Sequence, residues 1–284
     1  MLGTVHMSVS ESKFQDLEQL PQFPAIATKV LRVLSHDETT VREVSDFIRA
    51  DAALASGFLQ LANSPLYGRR TPIGSLQQAL LMVGFDELKR FLVTFSTRSC
   101  FRTALRLDLL RAIWRHSLAC AVISEELSVA CSPSQSRGDQ AYTAGLLHNI
   151  GRLGLFVVHP EEYASLLTAA VPGTDLLALE REAFGMNHCE AGRWLAERWG
   201  LPDEVRIAAA EHHGPLGTGE FDLQDLIRVA VMLTNTLGFD ITPARPPHSM
   251  QQVRGMLPHV AQYRFDPEPV AMKARINAKL DAYD

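Results

Sequence analysis

The sequence has few cysteines, no excess of positive charge and no long apolar run. Its four cysteines, Cys100, Cys120, Cys131 and Cys189, lie far apart and form no CxxC pair. This spacing argues against a zinc knuckle, a redox dithiol and a disulfide-stapled secreted fold. The net charge of −5 excludes nonspecific polyanion binding by the whole protein, so we expect no nucleic-acid partner beyond a local contact.

Targeting signals and common enzyme motifs are also absent. The first residues, MLGTVHMSVSESK, lack a basic segment followed by an apolar one, and no run of about 18 apolar residues occurs. We therefore expect a cytoplasmic protein with no export signal and no membrane span. There is no GxSxG, no GxxxxGK[ST] loop and no GxGxxG after a strand, which excludes the enzyme classes that depend on those motifs.

Apolar residues recur at three- and four-residue steps along most of the chain, which predicts amphipathic helices. No stretch alternates apolar and polar residues between hairpin turns, so an all-α fold is expected. From residue 76 onward the predicted helices cover about 76–83, 85–95, 107–127, 141–158, 188–199, 202–213, 223–237 and 267–283. Residues 130–140 (ACSPSQSRGDQ) predict a loop because they are rich in Ser, Pro, Gly and Asp.

Charge is distributed unevenly along the chain. Residues 69–115 carry nine basic and three acidic side chains, whereas residues 158–225 carry thirteen acidic side chains and four arginines. Arg98, Arg102 and Arg106 recur every four residues and would share one helical face. They are candidates for an anion or acidic-partner site, with a nucleotide as one such ligand; an ordinary solvated helix face is the alternative.

The segment 141–158 is almost entirely apolar or glycine, and His148, Asn149 and Arg152 are its exceptions. A buried polar group costs a few kcal/mol unless it is partnered. Each of the three therefore needs a hydrogen bond, a ligand or a metal. The segment also holds three glycines that predict the close approach of another backbone: Gly145, Gly151 and Gly154.

Histidine is the commonest metal ligand and a useful proton carrier near neutral pH. Five histidines at predicted helix positions are therefore metal-ligand candidates: His116, His148, His188, His212 and His213. A structural role is the alternative for each. His212 and His213 also fall in the last turn of a predicted helix, where a cation is favoured by the helix dipole.

Four segments resemble HDOD domains, the HD-related output domains of bacterial signalling proteins. These segments are Leu20–Pro24 (LPQFP), Ile48–Leu54 (IRADAAL), Leu61–Tyr67 (LANSPLY) and Gly145–Leu153 (GLLHNIGRL). The resemblance covers about residues 14–240. It implies an all-helical protein in which an N-terminal helical subdomain packs on a bundle similar to HD-type metal phosphohydrolases. It also implies a bacterial cytoplasmic setting and signalling partners such as receiver, sensor or cyclic-dinucleotide-related modules.

The resemblance sets the expected domain boundaries. We expect a disordered tail over residues 1–13 and the N-terminal helical subdomain over 14–105. The HD-like bundle should cover 106–240, and a C-terminal linker with helices should cover 241–284.

Catalytic relatives of this family bind metal through a His, a His-Asp pair and a later Asp. By resemblance these positions fall at His116, at His148–Asn149 and at Asn235, so both acidic positions are amides here. His188, His212 and His213 resemble the additional histidines of HD-GYP phosphodiesterases. An amide offers one neutral oxygen, whereas a carboxylate brings charge and can bridge two cations. We therefore expect a degenerate site with no catalytic residue and no cofactor; a single divalent metal on the histidines is the alternative.

Three functional interpretations follow. The first is a non-catalytic HDOD-type regulatory module that acts through protein contacts, with the degenerate HD site serving as a polar core or a ligand pocket. The second is a metal-dependent phosphohydrolase or phosphodiesterase with an altered His-rich site. The third is a nucleotide-binding or acidic-partner-binding module that uses the basic helical face.

Overall fold

The computed structural model describes residues 14–25, 28, 48–49, 51–68, 71–101, 107–131, 135–241, 248–265 and 268–283. Within these ranges the chain is helical and contains no strand, as the apolar spacing predicts. The α-helices are α1 (Ala52–Ala62), α2 (Leu76–Val83), α3 (Phe85–Phe101), α4 (Asp108–Cys131), α5 (Gln135–Leu147), α6 (Ile150–Val158), α7 (Pro160–Ala169), α8 (Leu176–Phe184), α9 (His188–Arg198), α10 (Asp203–Glu211), α11 (Leu223–Thr236), α12 (Met250–Gly255), α13 (His259–Arg264) and α14 (Pro269–Tyr283). No helix in the described part of the chain has the length and apolar character needed to cross a membrane.

Side-chain caps set where several helices begin. Asp51 accepts hydrogen bonds from the backbone N–H groups of Ala53 and Leu54, at 2.8 and 3.1 Å, at the start of α1. Asn187 and Glu190 form a reciprocal capping box at the start of α9. Such caps satisfy N–H groups that have no partner within the helix. The capping box therefore fixes His188 as the first residue of α9.

The bundle is organised around the long helix α4. Its side chains Ile113, Trp114 and Leu118 are all buried. α4 packs along α5 and α11, while α9 packs against α6 and α10. α4, α5, α6, α9, α10 and α11 therefore bring the histidine-bearing segments to one region of the fold.

The N-terminal helices form a second layer. α1, α2 and α3 pack on one another, and α3 also packs on α5 of the bundle. Phe91 of α3 lies between Phe58 and Phe95, with ring centroids 5.4 and 5.3 Å apart. An N-terminal helical subdomain packed on a helical bundle is thus confirmed.

Two predictions about the middle of the chain are wrong. The single helix over 141–158 is divided, because α5 ends at Leu147 and α6 begins at Ile150. The predicted loop over 130–140 is largely helical, since α4 continues to Cys131 and α5 begins at Gln135. Packing along α4 overrides the weak local helix preference of this segment. The tail 1–13 and nearly all of the Pro-rich segment 242–248 lie outside the described residues.

The C-terminal helix α14 returns to the N-terminal layer. Ile276 and Leu280, one helical turn apart, are buried. The Nζ atom of Lys279 lies 3.6 Å from carboxylate oxygens of both Glu87 in α3 and Glu125 in α4. The Tyr283 hydroxyl donates to Glu87 Oε1 at 3.2 Å. α14 therefore ties α3 and α4 together through apolar and charged contacts.

Candidate functional site

The predicted site residues line one cavity of about 410 Å³ between the bundle helices. This group consists of His116, His148, Asn149, His188, His212, His213 and Asn235. The volume falls within the roughly 300–1,000 Å³ that small-molecule sites span. The fold thus brings together residues that lie more than 100 positions apart in the sequence.

His148 and Asn149 occupy the break between α5 and α6. The His148 ring nitrogen Nδ1 lies 2.6 Å from the carbonyl oxygen of Gly145, one turn earlier. This side-chain bond occupies the carbonyl that a continuous helix would pair with the N–H of residue 149. The competition accounts for the division of the predicted helix. It also leaves both polar side chains at a junction that faces the cavity.

Close helix contact at Gly151 places His188 beside this junction. A Cβ atom on Gly151 would lie 1.9 Å from the backbone oxygen of His188 and 2.3 Å from the backbone nitrogen of Gly192. Gly145 and Gly154 are also tightly enclosed, with Ser124 Oγ at 2.6 Å and Leu195 Cδ1 at 2.8 Å from the corresponding Cβ positions. The predicted approach of another backbone is therefore present at Gly151 and at Gly145, where Ala121 Cα and the Cys120 oxygen lie 3.0 Å from the added Cβ. At Gly154 the near atoms belong to leucine side chains, so the prediction is wrong there.

Backbone oxygens fix the orientation of three imidazole rings. The Nδ1 atoms of His116, His148 and His212 lie 2.8, 2.6 and 3.0 Å from carbonyl oxygens. A carbonyl oxygen only accepts, so Nδ1 carries the proton in each ring and Nε2 carries a lone pair when the ring is neutral. The Nε2 atom of His148 has no hydrogen-bond partner within the described structure. The cavity thus presents electron-pair donors.

Burial keeps these rings neutral near physiological pH. Desolvation lowers the pKa of His116 to about 4, against a smaller opposing effect of its bond to the Phe239 carbonyl. Burial, followed by repulsion from neighbouring histidines, lowers the pKa of His148 and His212 well below the usual range. Burial also lowers the pKa of His188 well below its usual range, and the nearby positive charge of Arg152 lowers it further.

Arg152 contributes a permanent positive charge to this neutral cluster. Its side chain is only 4% exposed. The Nε atom donates to Asn149 Oδ1 at 3.3 Å, and one terminal nitrogen lies 3.3 and 3.2 Å from the two ring nitrogens of His188. The Asn149 oxygen therefore already accepts from a cation of the protein itself.

The histidine cluster is most compact at the His188 end of the cavity. The Nε2 atom of His188 lies 3.2 Å from His212 Nε2 and 3.0 Å from His213 Nε2. One ligand atom from each of these residues and from Cys189 falls within 4.8 Å of the others. Burial raises the pKa of Cys189 to about 12, so its thiol stays protonated near neutral pH.

A metal can be tested against this donor set. Neutral imidazoles suit a single late transition-metal ion, and His188, His212 and His213 fit one. A pair of bridged ions does not fit, because the Asn149 oxygen is neutral and already paired with Arg152. The acidic residues that line the cavity, Asp175 and Asp240, are solvent-exposed.

Several residues of the cavity region were not identified from the sequence. Apolar side chains of α8 and α11 form part of its wall: Leu176, Leu177, Val231 and Met232. Beneath His188 lies Glu180, which is fully buried and hydrogen-bonded to that ring at 2.6 Å. In the sequence Glu180 is one of several charged residues in an amphipathic segment, and no pattern there distinguishes it.

Of the predicted basic face, only Arg98 lies within the described residues. Arg98 is not among the residues that line the cavity, and its guanidinium donates to the backbone carbonyl of Tyr283 in α14. Arg102 and Arg106 lie outside the described residues. An anion or partner site on this face therefore stays a prediction.

Comparisons with known proteins support the helical architecture and the family. An uncharacterized protein of Treponema pallidum (strain Nichols) is 25% identical over 203 residues, which cover 69% of this chain and 38% of that protein. A provisionally named phosphohydrolase of Shewanella amazonensis SB2B superposes with a TM-score of 0.71 at 20% identity, over 96% of this chain and 98% of that one. A provisionally named signal-transduction protein of Marinobacter aquaeolei VT8 gives 0.73 at 23% identity, over 95% of this chain and 61% of that one.

At these identities the structural matches establish the fold alone. The chain also spans less than half the length of its Treponema relative. The family rests on a direct match, since the model of the HDOD domain covers residues 20–215. The chain therefore belongs to the HDOD domain family.

Proposed function

We propose that the chain is a regulatory HDOD module that does not hydrolyse phosphoesters, and that its cavity binds a small ligand or forms a polar core. In this proposal the module signals through contacts with other proteins in the cytoplasm. The domain division at residues 105 and 240 is part of the proposal.

The charge of the cavity carries this proposal. Asn149 and Asn235 line the cavity. By the family resemblance, these are the two positions at which catalytic relatives have carboxylates. Replacing two carboxylate ligands weakens metal binding by about 3 kcal/mol or more, because even a supporting residue is worth 10–100-fold in affinity. The buried guanidinium of Arg152 disfavours a second cation at the same place.

The cavity also has the composition of a ligand pocket. Its lining combines histidines, amides and arginines with the apolar side chains Leu176, Leu177, Val231 and Met232. A few placed polar groups among apolar walls are typical of small-molecule sites. A ligand with an anionic or polar end and an apolar body would fit this combination.

The test begins with the metal content of tag-free protein, measured by inductively coupled plasma mass spectrometry before and after chelation. Hydrolysis of bis(4-nitrophenyl) phosphate is then assayed with added Mn²⁺, Fe²⁺ and Zn²⁺. We expect metal well below one ion per chain and no turnover that depends on His148. Turnover abolished by His148→Ala but unchanged by the exposed-histidine control His259→Ala would contradict the proposal.

A metal-dependent phosphohydrolase with an altered site is the second candidate function. One observation favours it: His188, His212 and His213 bring their Nε2 atoms together, with 3.2 and 3.0 Å separating the first from the other two. These residues would hold one ion, which when bound would supply Lewis-acid activation of water. This candidate would replace the first if the wild type binds about one metal ion per chain and hydrolyses the substrate, and if His188→Gln loses both the metal and the turnover.

A further inference from the structure

Glu180 is the most deeply buried acidic side chain near the cavity, with an exposure of 0%. Its Oε2 atom accepts from the backbone N–H of His188 at 2.8 Å and lies 2.6 Å from Nδ1 of the same ring. Its Oε1 atom accepts from the hydroxyl of Tyr163 at 2.5 Å. A buried carboxylate is costly unless charge-assisted hydrogen bonds compensate it. Here the compensation comes from the backbone and ring of His188 and from Tyr163.

The arrangement determines which ring nitrogen of His188 carries the proton. An ionised carboxylate only accepts hydrogen bonds. Two oxygens that receive a hydroxyl and a backbone N–H therefore match Glu180 in its ionised form. The remaining contact, to the ring, then requires His188 Nδ1 to be the donor. Its Nε2 must carry the lone pair when the ring is neutral.

We propose that Glu180 is the positioning residue of the cavity, because it holds His188 as the Nδ1–H tautomer and turns the Nε2 lone pair toward His212 and His213. The link to ligand binding rests on the proposed function, whereas the tautomer itself does not.

The consequence is a defined chemical character at this end of the cavity. His212 also donates through Nδ1, to the carbonyl oxygen of Ala208 at 3.0 Å. The facing Nε2 atoms of His188 and His212, 3.2 Å apart, are therefore both acceptors and cannot satisfy each other. His188 Nε2 also lies 3.2 Å from a terminal nitrogen of Arg152, which only donates. A neutral ligand with an N–H or O–H donor would therefore meet the remaining acceptor, His212 Nε2.

A purely structural role makes a different prediction. Glu180 also links α7, through Tyr163, to α8 and α9. Loss of that link would lower stability without setting the proton position on His188. The tautomer is therefore the quantity that separates positioning from packing.

The experiment uses the 284-residue chain, free of metal and labelled with ¹⁵N-histidine. Two-bond ¹H–¹⁵N correlation spectra then distinguish the two neutral tautomers. Three variants are compared with the wild type. Glu180→Met removes the acceptor, Glu180→Gln removes the charge but keeps an acceptor oxygen, and Glu182→Gln changes an exposed residue of the same helix.

We expect His188 to be the Nδ1–H tautomer in the wild type, in Glu180→Gln and in Glu182→Gln, and to lose that tautomer in Glu180→Met. A wild-type His188 in the Nε2–H form, or an unchanged Nδ1–H form in folded Glu180→Met, would overturn the proposal. If Glu180→Met does not fold, the wild-type and Glu180→Gln spectra still decide. Because no ligand or metal is added, a failure of the proposed function leaves this result interpretable.

Discussion

Gly151→Ala is the substitution whose effect follows most directly from the structure. Its new methyl carbon would lie 1.9 Å from the backbone oxygen of His188 and within 2.8 Å of the backbone nitrogen and Cα atom of Gly192. These are backbone atoms of α9, so no side chain can rotate away. α9 must retreat by about 1 Å or more before the contact becomes tolerable. Overpacking costs roughly 1–3 kcal/mol, and we expect a loss of about 3 kcal/mol because a whole helix must move.

The loss is measured as the free energy of unfolding in urea, followed by circular dichroism. Gly138→Ala is the control, because Gly138 lies inside α5 and no atom lies within 4 Å of the added Cβ. This variant should be more stable than the wild type by up to about 1 kcal/mol, since alanine favours helix more than glycine does. In Gly151→Ala the histidine NMR resonance of His188 should shift as α9 moves. A stability within about 0.5 kcal/mol of the wild type would refute the close-contact explanation.

Three further predictions concern charge. Stability should fall as the pH drops from about 6.5 to about 4, by about 3 kcal/mol for His116 alone. As the pH falls, His116 is protonated in the unfolded chain first, because burial lowers its pKa in the folded chain to about 4. Urea unfolding across this pH range measures the loss of stability. Lys279→Met should cost about 1 kcal/mol, because it removes one of the two cations that face Glu87 and Glu125 and leaves only Arg90. The exposed pair partner Arg193 can become Gln at a cost below about 0.5 kcal/mol, and thermal unfolding compares the two variants. Asn149→Asp combined with Asn235→Asp should raise Mn²⁺ affinity roughly 100-fold by calorimetry, and no gain in a folded double variant would show that the two positions cannot share an ion.

Apolar spacing and helix punctuation predict much of the fold. α2 begins and ends at the expected residues, Leu76 and Val83, because Ser75 caps its first turn and Gly84 follows its last. The division at His148 could not be predicted in this way. It depends on one side-chain bond to the Gly145 carbonyl, and apolar periodicity contains no information about such a bond.

The cavity was predictable only in part. The family resemblance assigns the five histidines and the two amides, Asn149 and Asn235, to one site. The structure places these same seven residues around one cavity. Glu180 could not be identified because its helix, α8, was not predicted and its burial depends on α7 and α9 packing over it. Tertiary contacts, rather than local pattern, determine whether such a glutamate faces solvent or a histidine.

Backbone arrangement and side-chain charge affect different properties of this site. The fold brings His116, His148 and Asn235 to the same cavity despite their separation in sequence. Metal affinity at a fixed geometry depends on the charge of the ligands. Here the amides of Asn149 and Asn235 are neutral, and the buried Arg152 adds a positive charge beside Asn149. An intact fold therefore says little about activity here. Measured metal affinity, compared between the wild type and the carboxylate-restored variant, is the quantity that distinguishes a regulatory pocket from a hydrolytic centre.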